Sequence, residues 1–119
     1  MAGERDLSRL LAALDPQLCA ERYSFSATSG STLAEGAFAL IREAEGVTLI
    51  RPDPAGDWSR ISLGVHSSLD AVGLTAALSS RLAEIGISAN IVAALHEDHI
   101  FVPGDRRDEA LAVLSSRPA

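Results

Sequence analysis

The chain has no lysine, one cysteine (Cys19) and no apolar run near the roughly 20 residues that a bilayer-spanning helix needs. Each shortage excludes something. A lone cysteine cannot form an intrachain disulfide, which fits a reducing cytosol. The short apolar runs argue against a membrane partner. The charged segment Met1 to Asp6 leads into an amphipathic pattern instead of an apolar signal sequence. Positive charge rests on 10 scattered arginines against 16 acidic residues, a formal net charge of −6. Such a surface repels phosphate backbones, so nucleic acid is not an expected partner. There is no glycine-rich phosphate loop, no G-x-S-x-G elbow and no exact internal repeat. With 47 % apolar residues in 119, the chain affords one compact domain or two small halves sharing a core. A soluble, cytoplasmic protein of bacterial type is expected.

Leu7, Leu10, Leu11 and Leu14 recur at helical spacing until Pro16, which predicts a short helix over about 5–14. Arg22 to Thr28 reads as a strand and Thr28 to Ser31 as a turn. Ala37–Arg42 and Val47–Arg51, joined through Glu45-Gly46, form a hairpin pattern. Pro52 to Asp57 is the strongest break, and it divides residues 1–57 from 58–119. Trp58, just after it, is expected to pack between the halves. Beyond the break, Ile61, Leu63 and Val65 alternate with polar or small residues as a half-buried strand does. Ser67 to Asp70 resembles a capping box opening a helix lined by Leu74, Leu78, Leu82 and Ile85, with Gly86 at its end. Ser88–Leu95 and His99–Val102 pair as strands around His96-Glu97-Asp98. Pro103-Gly104-Asp105 opens a last helix, with Asp105 as its cap. If the third of these strands slots between the first two, strand–helix–strand–strand–helix is a split βαβ unit. Its closing strand must come from the first half or from another subunit.

From Val65 to Pro103 the chain reads VHSSLDAVGLTAALSSRLAEIGISANIVAALHEDHIFVP. The runs HSSLDAVGLTA, GISANI and DHIFVP resemble the ACT domain, and in particular small, largely uncharacterised bacterial proteins built from two ACT-like halves. The likeness covers about 60–114 and is weaker over Phe38 to Arg51. It implies an α+β, ferredoxin-like fold: βαββα units in tandem, with an antiparallel sheet and helices on one face. It also implies a regulatory module that binds a small molecule, an amino acid being the leading class, through paired domains in a homodimer. No cofactor, metal or catalytic residue is expected. The alternative is a dimerisation or docking module without a ligand.

Ligand-binding ACT domains use the loop after the first strand. Here that loop is His66, Ser67, Ser68, Leu69, Asp70, Val72, Gly73 and Leu74. The free amides of a helix N-terminus attract a carboxylate, and glycine permits close approach to the backbone. The same residues also read as a plain cap, with Gly73 easing helix–sheet packing, and Asp70 would already occupy the helix dipole. Ser88 and Asn90 lie on one face of the next strand, where some ACT domains touch a ligand across an interface. Asn90 equally suits an edge strand that satisfies it through backbone groups. His96-Glu97-Asp98-His99 with His66 invites a zinc-like site only if the side chains converge. A polar hairpin is the simpler reading, since the helical His-Glu-x-x-His spacing is absent. Cys19 lacks a nearby His or Cys partner and is expected to be chemically inert.

Overall fold

A computed structural model describes residues 3–29 and 35–116. Its elements are α1 (Leu7–Ala12), β1 (Pro16–Thr28), β2 (Ala39–Glu43), β3 (Gly46–Pro52), β4 (Trp58–Leu63), α2 (Leu74–Glu84), β5 (Asn90–Ala93), β6 (Asp98–Pro103) and α3 (Arg107–Ser115). A single 3-10 turn, Gly104–Arg106, precedes α3. The predicted turn at Thr28 to Ser31 lies partly outside the described residues.

All six strands form one antiparallel sheet in the order β2-β3-β1-β4-β6-β5. β6 lies between β4 and β5, as the split βαβ reading requires. The closing strand comes from the first half: β1 pairs with β4 on one side and with β3 on the other. The fold is therefore the expected ferredoxin-like α+β architecture. The Pro-rich break is a tight turn between β3 and β4, pinned where the Gly56 amide donates to the Asp53 carbonyl at 2.8 Å and the Asp53 amide to that of Arg22 at 2.8 Å.

Strand alternation splits the residues between the two faces. Ile61 and Leu63 of β4, with Ile100 and Val102 of β6, face the helices. They pack with Leu10, Leu14, Leu74, Leu78, Leu82, Ile87, Ala110 and Leu114. The opposite face buries Tyr23, Ile50 and Phe101, flanked by Cys19, Phe38, Ala39, Trp58 and Val92. Trp58 meets Phe25 of the first half edge-on, with centroids 5.8 Å apart.

Several boundaries differ from the sequence reading. α1 is shorter than 5–14, because Asp6 caps it by accepting from the Arg9 amide at 3.0 Å. β1 starts at Pro16, six residues early, and carries a register shift between Leu18 and Arg22. α2 starts at Leu74, not in the Ser67–Asp70 box. Gly73 precedes it with φ +98°, a left-handed turn that stops the helix from running back. Ile85 is half-exposed at the helix end, and Ile87 takes the core position expected for it. β5 is half the expected strand. Asp105 does not cap α3, because the 3-10 turn intervenes and neither segment has a side-chain cap.

Candidate functional site

The loop between β4 and α2 lies at the end of the sheet that also carries the β5–β6 turn, since Ser62 pairs with His99. Residues 3–7 run alongside it. Glu4 forms a parallel bridge with Ser67: its amide donates to the His66 carbonyl at 2.9 Å, and its carbonyl accepts from the Ser68 amide at 2.8 Å. Within the loop, the Ser68 hydroxyl donates to Asp70, which also pairs with Arg5 at 3.3 Å. A hydrogen bond and the Arg5 charge, working against desolvation, hold Asp70 below its ordinary pKa. Asp70 therefore bonds within the loop and to Arg5, α2 has no side-chain cap, and the expected capping box does not form. Leu7 fills the space beside Gly73, its Cδ2 lying 3.0 Å from where a Cβ would stand.

Between this loop and the sheet is a crevice of about 60 Å³, lined by Ser67, Ser68, Leu69, Ala71, Leu74, Thr75, Ala93 and Asp98. It has room for about two waters and is far smaller than the roughly 300 Å³ of a drug-sized pocket. Asp98 stands out in its wall. The residue is 7 % exposed, and no ion pair to it stands among the described residues. Burial pushes its pKa up, opposed by the neighbouring His99. The opening turn of α2 forms another wall. It has no side-chain cap, and the first amides of a helix have no partner within it. A partly desolvated carboxylate and a set of amide donors thus share one small opening. Leu69 in its wall is 67 % exposed, Val72 of the same loop 84 % and Leu95 of the β5–β6 turn 66 %.

The anticipated residues divide. Ser67, Ser68, Leu69 and Leu74 line the crevice. His66, Asp70, Val72 and Gly73 belong to the same loop but not to its wall. Ser88 and Asn90 are exposed, Asn90 on the helix-free face of edge strand β5 opposite Phe101. Sequence reading missed Thr75, and it named Asp98 only in the hairpin weighed as a metal site. The place of Asp98 in the crevice was legible only from its being the first inward position of a strand whose alternate residues, Ile100 and Val102, are core.

The histidines do not converge. His66 and His96 have ring centroids 6.2 Å apart, whereas His99 turns to the helix-free face, with Nδ1 2.7 Å from the Ser62 hydroxyl. Among the described residues, no group of three or more His, Cys, Asp or Glu stands close enough to hold a metal ion. No described helix is long and apolar enough to cross a membrane.

A ferredoxin-like sheet with helices on one face and a cleft at its strand-to-helix loop is the architecture of the ACT class. The chain belongs to the ACT domain family: one model described as ACT domain matches residues 55–116 and another matches residues 2–62. ACT domains are typically regulatory modules for small ligands. Among solved structures, a protein of unknown function from Vibrio cholerae, described as a possible transport protein, is 38 % identical. The match covers 94 % of this chain and 96 % of that one, with a TM-score of 0.80. An Agrobacterium tumefaciens protein is similar in fold at 19 % identity and a TM-score of 0.67, covering 86 % of this chain and 87 % of that one. The ligand-free regulatory subunit of aspartate kinase from Thermus thermophilus shares the fold at 10 % identity and a TM-score of 0.62, with 86 % and 95 % covered. No curated protein matches significantly.

Proposed function

We propose that this chain is a regulatory module that binds an amino acid in the Asp98 crevice and acts through pairing of two copies. The observation that carries the reading is the Asp98 carboxylate, on a residue 7 % exposed and without an ion pair among the described residues, beside the uncapped start of α2. An α-amino acid is a zwitterion. Its ammonium compensates Asp98 in a site where an unpaired charge is costly, and its carboxylate accepts from the first amides of α2. Ser67, Ser68, Leu69 and Leu74 shape the wall, while His66, Asp70, Val72 and Gly73 hold the loop. The crevice takes only the head group, so the ligand side chain extends past Leu69, Val72 and Leu95. A second copy, paired along β5 near Ser88 and Asn90, would close over it. We read residues 1–57 and 58–119 as two ACT-like halves built on one sheet, located in the cytoplasm.

Binding would shift the population toward the paired arrangement, because only that arrangement encloses the ligand. A thermal-shift screen of the amino acids at millimolar concentration tests this. Expected is a raised midpoint for one or a few, absent with the N-acetyl derivatives and in Asp98→Asn. A flat response across the screen would sink the ligand reading. A ligand-free docking module is the second reading, and the Glu4–Ser67 bridge favours it by occupying loop groups that a guest would otherwise use.

A further inference from the structure

All five aromatic residues of the chain, Tyr23, Phe25, Phe38, Trp58 and Phe101, meet on the helix-free face of the sheet; the helix-covered core is aliphatic. At their centre stands Arg60. Its Cζ lies 5.3 Å from the centroid of Tyr23 and 4.9 Å from that of Phe38. Nε donates to the Tyr23 hydroxyl at 3.0 Å, Nη1 to Ser62 Oγ at 2.7 Å, and Nη2 to Cys19 Sγ at 3.5 Å. His99 Nδ1 is 3.3 Å from Nη1. No carboxylate forms an ion pair with Arg60 among the described residues. In a chain with 16 acidic residues, this half-buried guanidinium meets none of them; its partners are hydroxyls, a thiol, an imidazole and ring faces, and burial, which disfavours the cation, is outweighed by Tyr23 and Cys19.

We propose that this face binds a small organic acid, an apolar or aromatic body bearing one carboxylate, with Arg60 as its anchor. The accessible parts of Phe25, Phe38 and Trp58 supply apolar contact above the buried Tyr23 and Phe101, and the guanidinium supplies the charge-assisted hydrogen bond that selects a carboxylate. A second copy docked face to face with its two-fold axis at Arg60 would bring Arg60 against Arg60, and that repulsion argues for a free acid as the occupant. Arg60 and Asp98 sit on opposite faces of the sheet, so this site is independent of the crevice.

Trp58 is the only tryptophan and lies on this face, so its fluorescence reports occupancy. The probes are benzoate and hexanoate, with benzamide and hexanamide as uncharged controls. Expected is a saturable change with the acids alone, unchanged in Asp98→Asn and weakened about tenfold or more in Arg60→Met. Circular dichroism checks that Arg60→Met is folded. In the wild-type protein, NMR provides a readout that needs no variant: an acid that neutralises Arg60 raises the pKa of His99. Equal response to amides and acids, no saturation with the acids, or a His99 titration unmoved by them would overturn the proposal. So would a thiolate absorbance from Cys19 at neutral pH, since Arg60 would then have an internal counter-ion. A response that disappears on dilution as dimers dissociate would assign the face to a second copy and overturn the free-acid assignment.

Discussion

Asp98 costs the free protein stability, and the direction of its titration shows how. Burial raises its pKa in the folded state, so the folded protein holds this proton at pH values where the unfolded chain has released it. Stability from this group is therefore present below the ordinary carboxylate value and declines as pH rises from there through the raised folded value. Asp98→Asn removes the charge at nearly constant shape. It is expected to raise the melting temperature by a few degrees at pH 7 and hardly at all near the acid end of the titration. Calorimetry at the two pH values checks this, and a variant less stable at neutral pH would contradict it. His99 is held low instead, by burial and then by Arg60, against the pull of Glu97 and Asp98. Ser59 presents a simpler case on the same sheet. Its side chain is 1 % exposed, and its hydroxyl has no hydrogen-bond partner among the described residues. Ser59→Ala relieves that desolvated hydroxyl and is expected to stabilise by about 1 kcal/mol, read as a higher urea midpoint at unchanged slope.

At the scale of elements, the turns that set the strand spacing allow little substitution. A Cβ on Gly56 would lie 2.2 Å from the carbonyl oxygen of Tyr23, a backbone atom of β1 that cannot swing away. Gly56→Ala should therefore cost on the order of 1–3 kcal/mol by forced displacement. Gly46→Ala, with open space around it and only its φ of +148° to oppose a side chain, should cost about 1 kcal/mol or less. Chemical denaturation of the pair separates the two causes. The same positions show what the sequence disclosed. Period-two alternation in Ile61-Leu63 and the leucines at 74, 78 and 82 are local signals, and they located β4 and the body of α2. Helix starts were misplaced because the deciding contacts are remote: Glu4 engages the Ser68 amide, and the left-handed Gly73 stops α2. Pro16 read as a stop to α1, yet it also opens β1, whose extra length is fixed only by pairing with Leu63 and Ile61. Arg60 and its link to Ser62 and Cys19 drew no attention, since nothing local marks a strand's polar side as a shared face.

For the whole molecule, the consequence of β1 lying between β3 and β4 is cooperativity. Neither half keeps a complete sheet when cut at the 52–57 turn, so residues 58–119 expressed alone should fail to fold, and the full chain should melt in one transition. The sheet still has two outer edges, β2 and β5. Exposed edges pair readily, and β5 is the one beside the crevice, because Ala93 belongs to both. On the proposed pairing through this edge, assembly would be coupled to ligand. A guest that binds only the closed dimer adds its occupancy free energy to the dimer alone. Replacing both Ser88 and Asn90 with lysine places like charges across the two-fold axis without touching the core, since both positions are exposed. The double variant should be monomeric by light scattering at low salt and lose the amino-acid-dependent thermal shift. It should regain part of each as salt rises, because screening shortens the repulsion to about 3 Å at 1 M. A misfolded variant would show no such recovery, and a variant that stays dimeric at low salt would move the pairing edge from β5 to β2.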